Sequence, residues 1–157
     1  HITLGLSLEH NLYSWDNEHG KYEENIEEFA TSKYLVSNAE FMEFVNNNGY
    51  TTLKYWDEEG KKFLEETKAI HPTFWVLENG TYKYRALTKI IDMPLNFPVD
   101  VNALEAEAFC RYKSEKENIK YCLPSEVEYK AICKYVNLEN VLDLPQNRAN
   151  QNLNYFN

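Results

Sequence analysis

An α+β fold with much irregular structure is what this sequence predicts, and three observations predict it. Helix-start signals recur four times along the chain, and an Asn-Gly turn flanked by strand-forming residues lies between the second and the third. The remaining apolar runs are short and non-alternating, and long aromatic-rich segments connect them.

The elements follow in chain order. Ile2 to Leu6 reads as an edge strand and Glu27 to Tyr34 as another strand before the first helix. Ser37 with Glu40 three residues later forms a capping box, and Phe41, Phe44 and Val45 supply the apolar stripe of the helix it opens. That helix ends at Asn46-Asn47-Asn48-Gly49, where Gly49 suits the left-handed position past a helix end. Asp57-Glu58-Glu59 places acids at the positive end of a second helix that runs to about Glu66. Phe74 to Glu78 and Thr81 to Arg85 pair across Asn79-Gly80, which accepts the positive φ angles of a type I′ turn. Asn79-Gly80-Thr81 also matches a glycosylation sequon, but the chain has no secretory features and the turn reading is preferred. Asn102 with Glu105 opens a third helix with Leu104, Ala108, Phe109 and Tyr112 on one face. Ser125 with Glu128, after Pro124, opens a fourth with Val127, Ala131, Ile132 and Tyr135 inward. No repeat or linker divides the 157 residues, so they read as one domain or part of one.

Composition excludes some functions. Against 25 acidic residues stand 13 Lys and 3 Arg, scattered, for a net charge of -9. A phosphate-backbone partner calls for clustered cations, so a nucleic-acid partner is not expected. No apolar run approaches the roughly 18 to 20 residues of a membrane span, so no membrane partner is expected either. Three cysteines, Cys110, Cys122 and Cys133, make neither a disulfide framework nor a zinc pattern, and the expected compartment is the reducing cytoplasm. Cys110 and Cys133 fall on helices as buried thiols, and Cys122 follows Tyr121 in a short strand. The 43% of apolar residues, 15% of the chain being aromatic, is ample for a core.

The search for chemistry by spacing returns little. His1, His10, His19 and His71 include no pair four apart, so no helix presents two imidazoles on one face, and a local iron triad cannot be assembled. His71 is read as a turn residue fixed by Pro72, with a long-range site using distant carboxylates as the alternative. Glu126 and Glu128, two apart on a helix, diverge by about 200° and make no catalytic pair; Glu128 caps its own helix. Trp15-Asp16-Asn17-Glu18 gathers carboxylates and an amide beside an indole in a loop, suited either to a cation or to knitting the loop together.

The ordered motifs resemble a known family. Val36-Ser37-Asn38-Ala39-Glu40-Phe41-Met42-Glu43-Phe44-Val45, with Asn48-Gly49-Tyr50, is similar to the V-T-N-x-E-F-x-x-F-V…G-Y signature of the formylglycine-generating-enzyme, or sulfatase-modifying-factor, fold. Glu105-Ala106-Glu107-Ala108-Phe109-Cys110 resembles its E-A-x-A-Y-C helix, and Leu123-Pro124-Ser125-Glu126-Val127-Glu128-Tyr129 its L-P-T-E-A-E-W. Trp15-Asp16-Asn17-Glu18, His71-Pro72-Thr73-Phe74-Trp75, Tyr84-Arg85 and Met93 to Asn102 further resemble the iron-dependent sulfoxide synthases of thiohistidine biosynthesis. Within that group the resemblance is closest to 5-histidylcysteine sulfoxide synthase of the ovothiol pathway. Ergothioneine-pathway relatives carry P-V-x-H-V-S where this chain has Pro98-Val99-Asp100-Val101-Asn102. Two departures are Gly60-Lys61-Lys62-Phe63 in place of G-W-x-W and Cys122 in place of an Arg.

The resemblance implies an irregular α+β architecture related to C-type lectins, of which residues 1–157 are a part that stops short of the domain's C-terminal end. It implies an O2-dependent reaction in which non-haem Fe(II) joins the sulfur of cysteine to an imidazole carbon of histidine and oxidises the sulfur. The iron would be bound outside this chain, in an N-terminal DinB-like domain, and many family members carry a C-terminal methyltransferase domain. Asn150 is a candidate ligand of a structural calcium, and Arg85 is the candidate substrate-pocket residue. Asn38, Asn102, Glu126 and Glu128 belong with the Trp15–Glu18 segment to the structural motifs, and Trp15, Trp56 and Trp75 to the core. The isolated chain is expected to be inactive. A sulfatase-modifying oxidase, which needs a reactive cysteine pair downstream, and a non-catalytic lectin-like binding module are the other readings.

Overall fold

A computed structural model describes residues 1–6 and 15–136. They fall into two compact units, one formed by residues 32–123 and the other by 1–6, 15–31 and 124–136. The elements are mixed helices and small antiparallel sheets, an α+β composition.

In the larger unit, α1 (Asn38–Asn46) starts at the predicted capping box. The Ser37 side chain accepts from the Glu40 N–H, and Glu40 Oε2 accepts from the Ser37 N–H at 2.9 Å. Its first turn is held from outside as well, because the N–H groups of Asn38 and Ala39 donate to the carbonyls of Phe97 and Leu95. Past its end the left-handed residue is Asn48 (φ 60°), not Gly49. Gly49 is needed for a different reason: a Cβ there would lie 2.3 Å from the Phe44 ring. A 3-10 turn, Leu53–Tyr55, leads to α2 (Glu58–Thr67), capped by Asp57 Oδ1 on the Gly60 N–H at 2.8 Å.

The hairpin forms as predicted. Strands β3 (Trp75–Glu78) and β4 (Thr81–Arg85) pair antiparallel, with Asn79 and Gly80 both at positive φ. A third strand, β5 (Ile90–Asp92), adds to β4 in the register Tyr84↔Ile91 and was not expected from its three short residues. One face of this sheet carries Trp75, Leu77, Tyr82, Tyr84 and Ile91, and the other carries Lys83 within 3.4 Å of Glu78. Next, α3 (Ala103–Glu117) opens on Asn102 and Glu105, whose side chains accept from each other's N–H at 2.9 Å.

The core of this unit is aromatic. Phe41, Phe44, Tyr50, Tyr55, Trp56, Trp75, Phe109 and Tyr112 are buried in one cluster with Val45 and Ala108. Phe44 is at its centre, with the rings of Tyr50, Tyr55, Trp56, Phe109 and Tyr112 at 5.4 to 6.4 Å.

In the smaller unit, β1 (Ile2–Leu4) pairs antiparallel with β2 (Tyr22–Glu24), and α4 (Glu126–Tyr135) packs on β1. Helix α4 has its predicted box, with Glu128 Oε2 accepting from the Ser125 N–H at 2.7 Å. Val127 is buried as expected, but Tyr135 is 92% exposed, at the helix's last residue.

Three other expectations are corrected. Residues 27–34 form no strand; the next bridge is Ser37↔Pro98, and no strand edge among the described residues takes up the preceding backbone. Tyr121 and Cys122 lie in irregular chain rather than a strand, since Tyr121 donates to the Ser114 hydroxyl instead of a ladder. Trp15 is 64% exposed and is not core.

Candidate functional site

The expected site residues are set by their elements, and the structure separates them rather than gathering them. Asp16, Asn17 and Glu18 form a single 3-10 turn in which Glu18 Oε2 accepts from the Trp15 N–H at 2.7 Å and Asp16 Oδ1 from the Asn17 N–H at 3.0 Å. These carboxylates serve backbone donors, which is the knitting role. Glu128 likewise caps α4, while Glu126 is exposed at its first turn. Arg85 closes β4 through its backbone N–H to the Phe74 carbonyl at 2.7 Å, and its side chain is exposed. His71 Nδ1 lies 2.9 Å from the Pro72 carbonyl and its ring stands edge-on to Tyr82, a turn residue in place. Asn150, the candidate calcium ligand, lies outside the described residues.

Asn38 is buried within α1 and Asn102 caps α3. Asn38 is fully buried and its Nδ2 donates to the Pro94 carbonyl at 3.0 Å, which ties α1 to the segment before α3. Its Oδ1 and the Trp75 Nε1–H have no hydrogen-bond partner among the described residues, an acceptor and a donor both buried in the same unit. Asn102 positions Glu105, and Glu105 is the most consequential residue that sequence reading missed. It is 2% exposed, and its Oε1 accepts from the Tyr50 hydroxyl at 2.5 Å while Oε2 takes the Asn102 N–H. Burial, then the facing carboxylate, hold the Tyr50 phenol far above its usual range, so it remains a donor. Nothing in the sequence links residues 50 and 105 except the shared motifs that contain them.

Arg111 makes a second unforeseen junction. Its Nη1 donates to the Tyr55 carbonyl at 2.8 Å, and Nη2 reaches Glu107 at 2.8 Å and Asp57 at 3.2 Å. Only the Glu107–Arg111 part, four apart on a helix, has a sequence signature. The Gly60 N–H, and then Arg111, hold the Asp57 carboxyl below its usual range.

One open pocket of about 410 Å³ is lined by Glu43, Asn47, Tyr55, Tyr112, Glu115 and Lys116. Its charges are mutually satisfied, with Lys116 on Glu43 at 2.7 Å and Lys54 on Glu115 at 2.5 Å. Burial raises the Tyr112 phenol, which accepts from Asn47 Nδ2 at 3.2 Å. The rim therefore offers ion-paired carboxylates and a phenol as hydrogen-bonding groups. Among the described residues no three His, Cys, Asp or Glu side chains are grouped to hold a metal, so these residues do not fit an iron centre. No helix among them is long and apolar enough to cross a membrane.

The family model of the sulfatase-modifying factor enzyme 1-like domain matches residues 3–150, and the chain belongs to that family. Among curated proteins, the hercynine oxygenase of Mycobacterium tuberculosis is 27% identical over 135 residues, covering 85% of this chain and 30% of that protein. Hercynine oxygenases of Mycolicibacterium thermoresistibile and Mycolicibacterium smegmatis are 26% and 27% identical over the same length. The chain spans less than a third of these relatives.

Proposed function

We propose that this chain is the substrate-pocket domain of a non-haem-iron, O2-dependent sulfoxide synthase that joins cysteine sulfur to a histidine imidazole carbon. The observation that carries the reading is the similarity to three hercynine oxygenases across 85% of the chain, on a domain that the family model matches over residues 3–150. In this reading Fe(II) is bound outside this chain, in a DinB-like domain of the whole protein. What this chain contributes is a wall held rigid by the Phe44 cluster and the Tyr50–Glu105 bond. Arg85, exposed at the end of β4, is the side chain available to a substrate carboxylate. A cytoplasmic setting accords with three free thiols.

Within this reaction type, Asp100-Val101-Asn102 in place of an H-V-S step favours histidine itself as acceptor, the 5-histidylcysteine product of the ovothiol pathway. The names of the relatives favour hercynine and the ergothioneine pathway as the second reading. The full-length protein, supplied with Fe(II), cysteine and O2, should form a carbon–sulfur-linked sulfoxide with histidine in preference to hercynine, scored by mass spectrometry. Preference for hercynine would transfer the assignment to the second reading, and no product with either would end both. The isolated chain should form no product, and turnover by it would refute the placement of the iron.

A further inference from the structure

We propose that Cys110 and Cys122 are an oxidisable thiol pair that closes into an intrachain disulfide beside the C-terminal half of α3 when the protein meets a peroxide. The inference rests on how the chain turns back after that helix and is independent of the reaction proposed above. Helix α3 ends where Asn118 takes the left-handed conformation (φ 53°), and the chain then reverses along the helix. Ser114 fastens the return: its hydroxyl donates to the Cys110 carbonyl at 2.7 Å and accepts the Tyr121 N–H at 2.8 Å. Tyr121 is clamped further by its own hydroxyl on Glu117 at 2.5 Å and by Lys113 over its ring at 5.4 Å. One hydroxyl therefore joins the peptides of Cys110 and Tyr121, and Cys122 is the next residue. Cys110 lies one turn, about 6 Å, below Ser114, and Cys122 is one Cα step of about 3.8 Å from the residue that Ser114 holds, which puts the pairing within reach of a local shift of the returning chain.

Their environments assign the order of events. Cys122 is exposed and Cys110 is half-buried. Burial, and next the neighbouring Cys122, push the Cys110 thiol up, so the exposed Cys122 is the sulfur that the oxidant reaches first. Its thiolate attacks one peroxide oxygen, the O–O bond breaks, and water leaves after protonation, giving a sulfenic acid. The Cys110 sulfur then attacks the sulfenic sulfur, loses its proton, and expels the hydroxyl as a second water. Two sulfurs are oxidised and one peroxide is reduced to two waters. Residues 119–123 carry no regular secondary structure and can make the adjustment that disulfide geometry requires.

The test uses the full-length protein, reduced, treated with one equivalent of hydrogen peroxide, alkylated and digested with trypsin without reduction. Residues 90–111 should be recovered linked to residues 121–130, and dithiothreitol should release them. Cys133→Ser should leave the crosslink intact and Cys122→Ser should abolish it. In Cys110→Ser, Cys122 should persist as a sulfenic acid, with dimedone labelling several-fold above wild type. A crosslink through Cys133, one between two chains, or oxidation of Cys122 straight to the sulfinic acid in wild type would overturn the proposal.

Discussion

Residues 32–123 bury ten side chains in a single cluster, eight of them aromatic, whereas in the other unit only Ile2 and Val127 among the described residues are buried. The first is held by packing, and the second by short-range devices: a two-strand ladder, the 3-10 turn closed by Glu18, and the capping box of α4. A packed site loses both transfer free energy and its neighbours' contacts when truncated, while a capped or exposed site loses one hydrogen bond or less. The two units should therefore answer mutation on different scales.

Phe44→Ala offers the largest break in that contrast. It empties the centre of the cluster, and unfolding by urea should show a loss of about 3–5 kcal/mol. A loss below about 1 kcal/mol would mean the cluster does not hold the unit. Next is Tyr50→Phe, which leaves Glu105 Oε1 buried without its donor; the expected cost is about 1–3 kcal/mol, read from the same midpoint. Conversion of Glu105 to Gln in that background should recover part of it, because a neutral amide tolerates burial better than an unpaired carboxylate.

Caps come third. Ser125→Ala should cost about 1 kcal/mol, seen as faster amide exchange confined to the first turn of α4. It should blunt acid sensitivity only in part, because alanine removes the Ser125 hydroxyl, the second cause that holds Glu128 low, and keeps the backbone N–H, the first. Hydrogen bonds from the Ser125 N–H to Glu128, the Gly60 N–H to Asp57 and the Tyr121 hydroxyl to Glu117 hold these carboxyls below their usual range. A depressed native value gives stability that is fully present above the unfolded value near about 4 and is lost as pH falls through the native value. The urea midpoint should thus be insensitive to these groups from about pH 7 to 5 and drop below about pH 4, and an opposite slope would contradict the assignment. The smallest effect is expected at Trp15→Ala, within about 0.5 kcal/mol, since the indole is 64% exposed. A loss above about 2 kcal/mol there would place the indole in a buried contact and erase the difference between the units.

Much of the local structure was legible beforehand. Capping boxes at Ser37, Asn102 and Ser125 and the Asn79-Gly80 turn lie where the sequence predicts, because each depends on residues no more than three positions apart. What was misread depended on distance. Strand β2 and strand β5 are three residues each and exist only because β1 and β4 offer them an edge. The stretch from 27 to 34 has strand-like residues and finds no such edge among the described residues. Gly49 was expected for its φ and is required for its lack of a Cβ against Phe44.

The candidate site was less legible than the fold. Spacing showed that no local histidine set could bind a metal, and the motifs carried the family, but the role of each polar side chain was settled by its partner. Asp16 and Glu18 spend their oxygens on backbone donors, and Glu105 is buried against a phenol from a turn far away in sequence. Charge patterning reveals neither, since an acid on a helix face reads as solvated unless its neighbours are known.

By itself the sequence determined where four helices begin, where the hairpin turns and which family the motifs belong to. All of these are written in hydrogen bonds and φ preferences that span a few residues. Only the tertiary structure decided that Phe44 is the centre of the core, that Tyr50 donates to Glu105, and that Ser114 holds Tyr121 back against α3. Those contacts join residues that sequence distance separates, and burial, which sets their energies, is a property of the assembled surface.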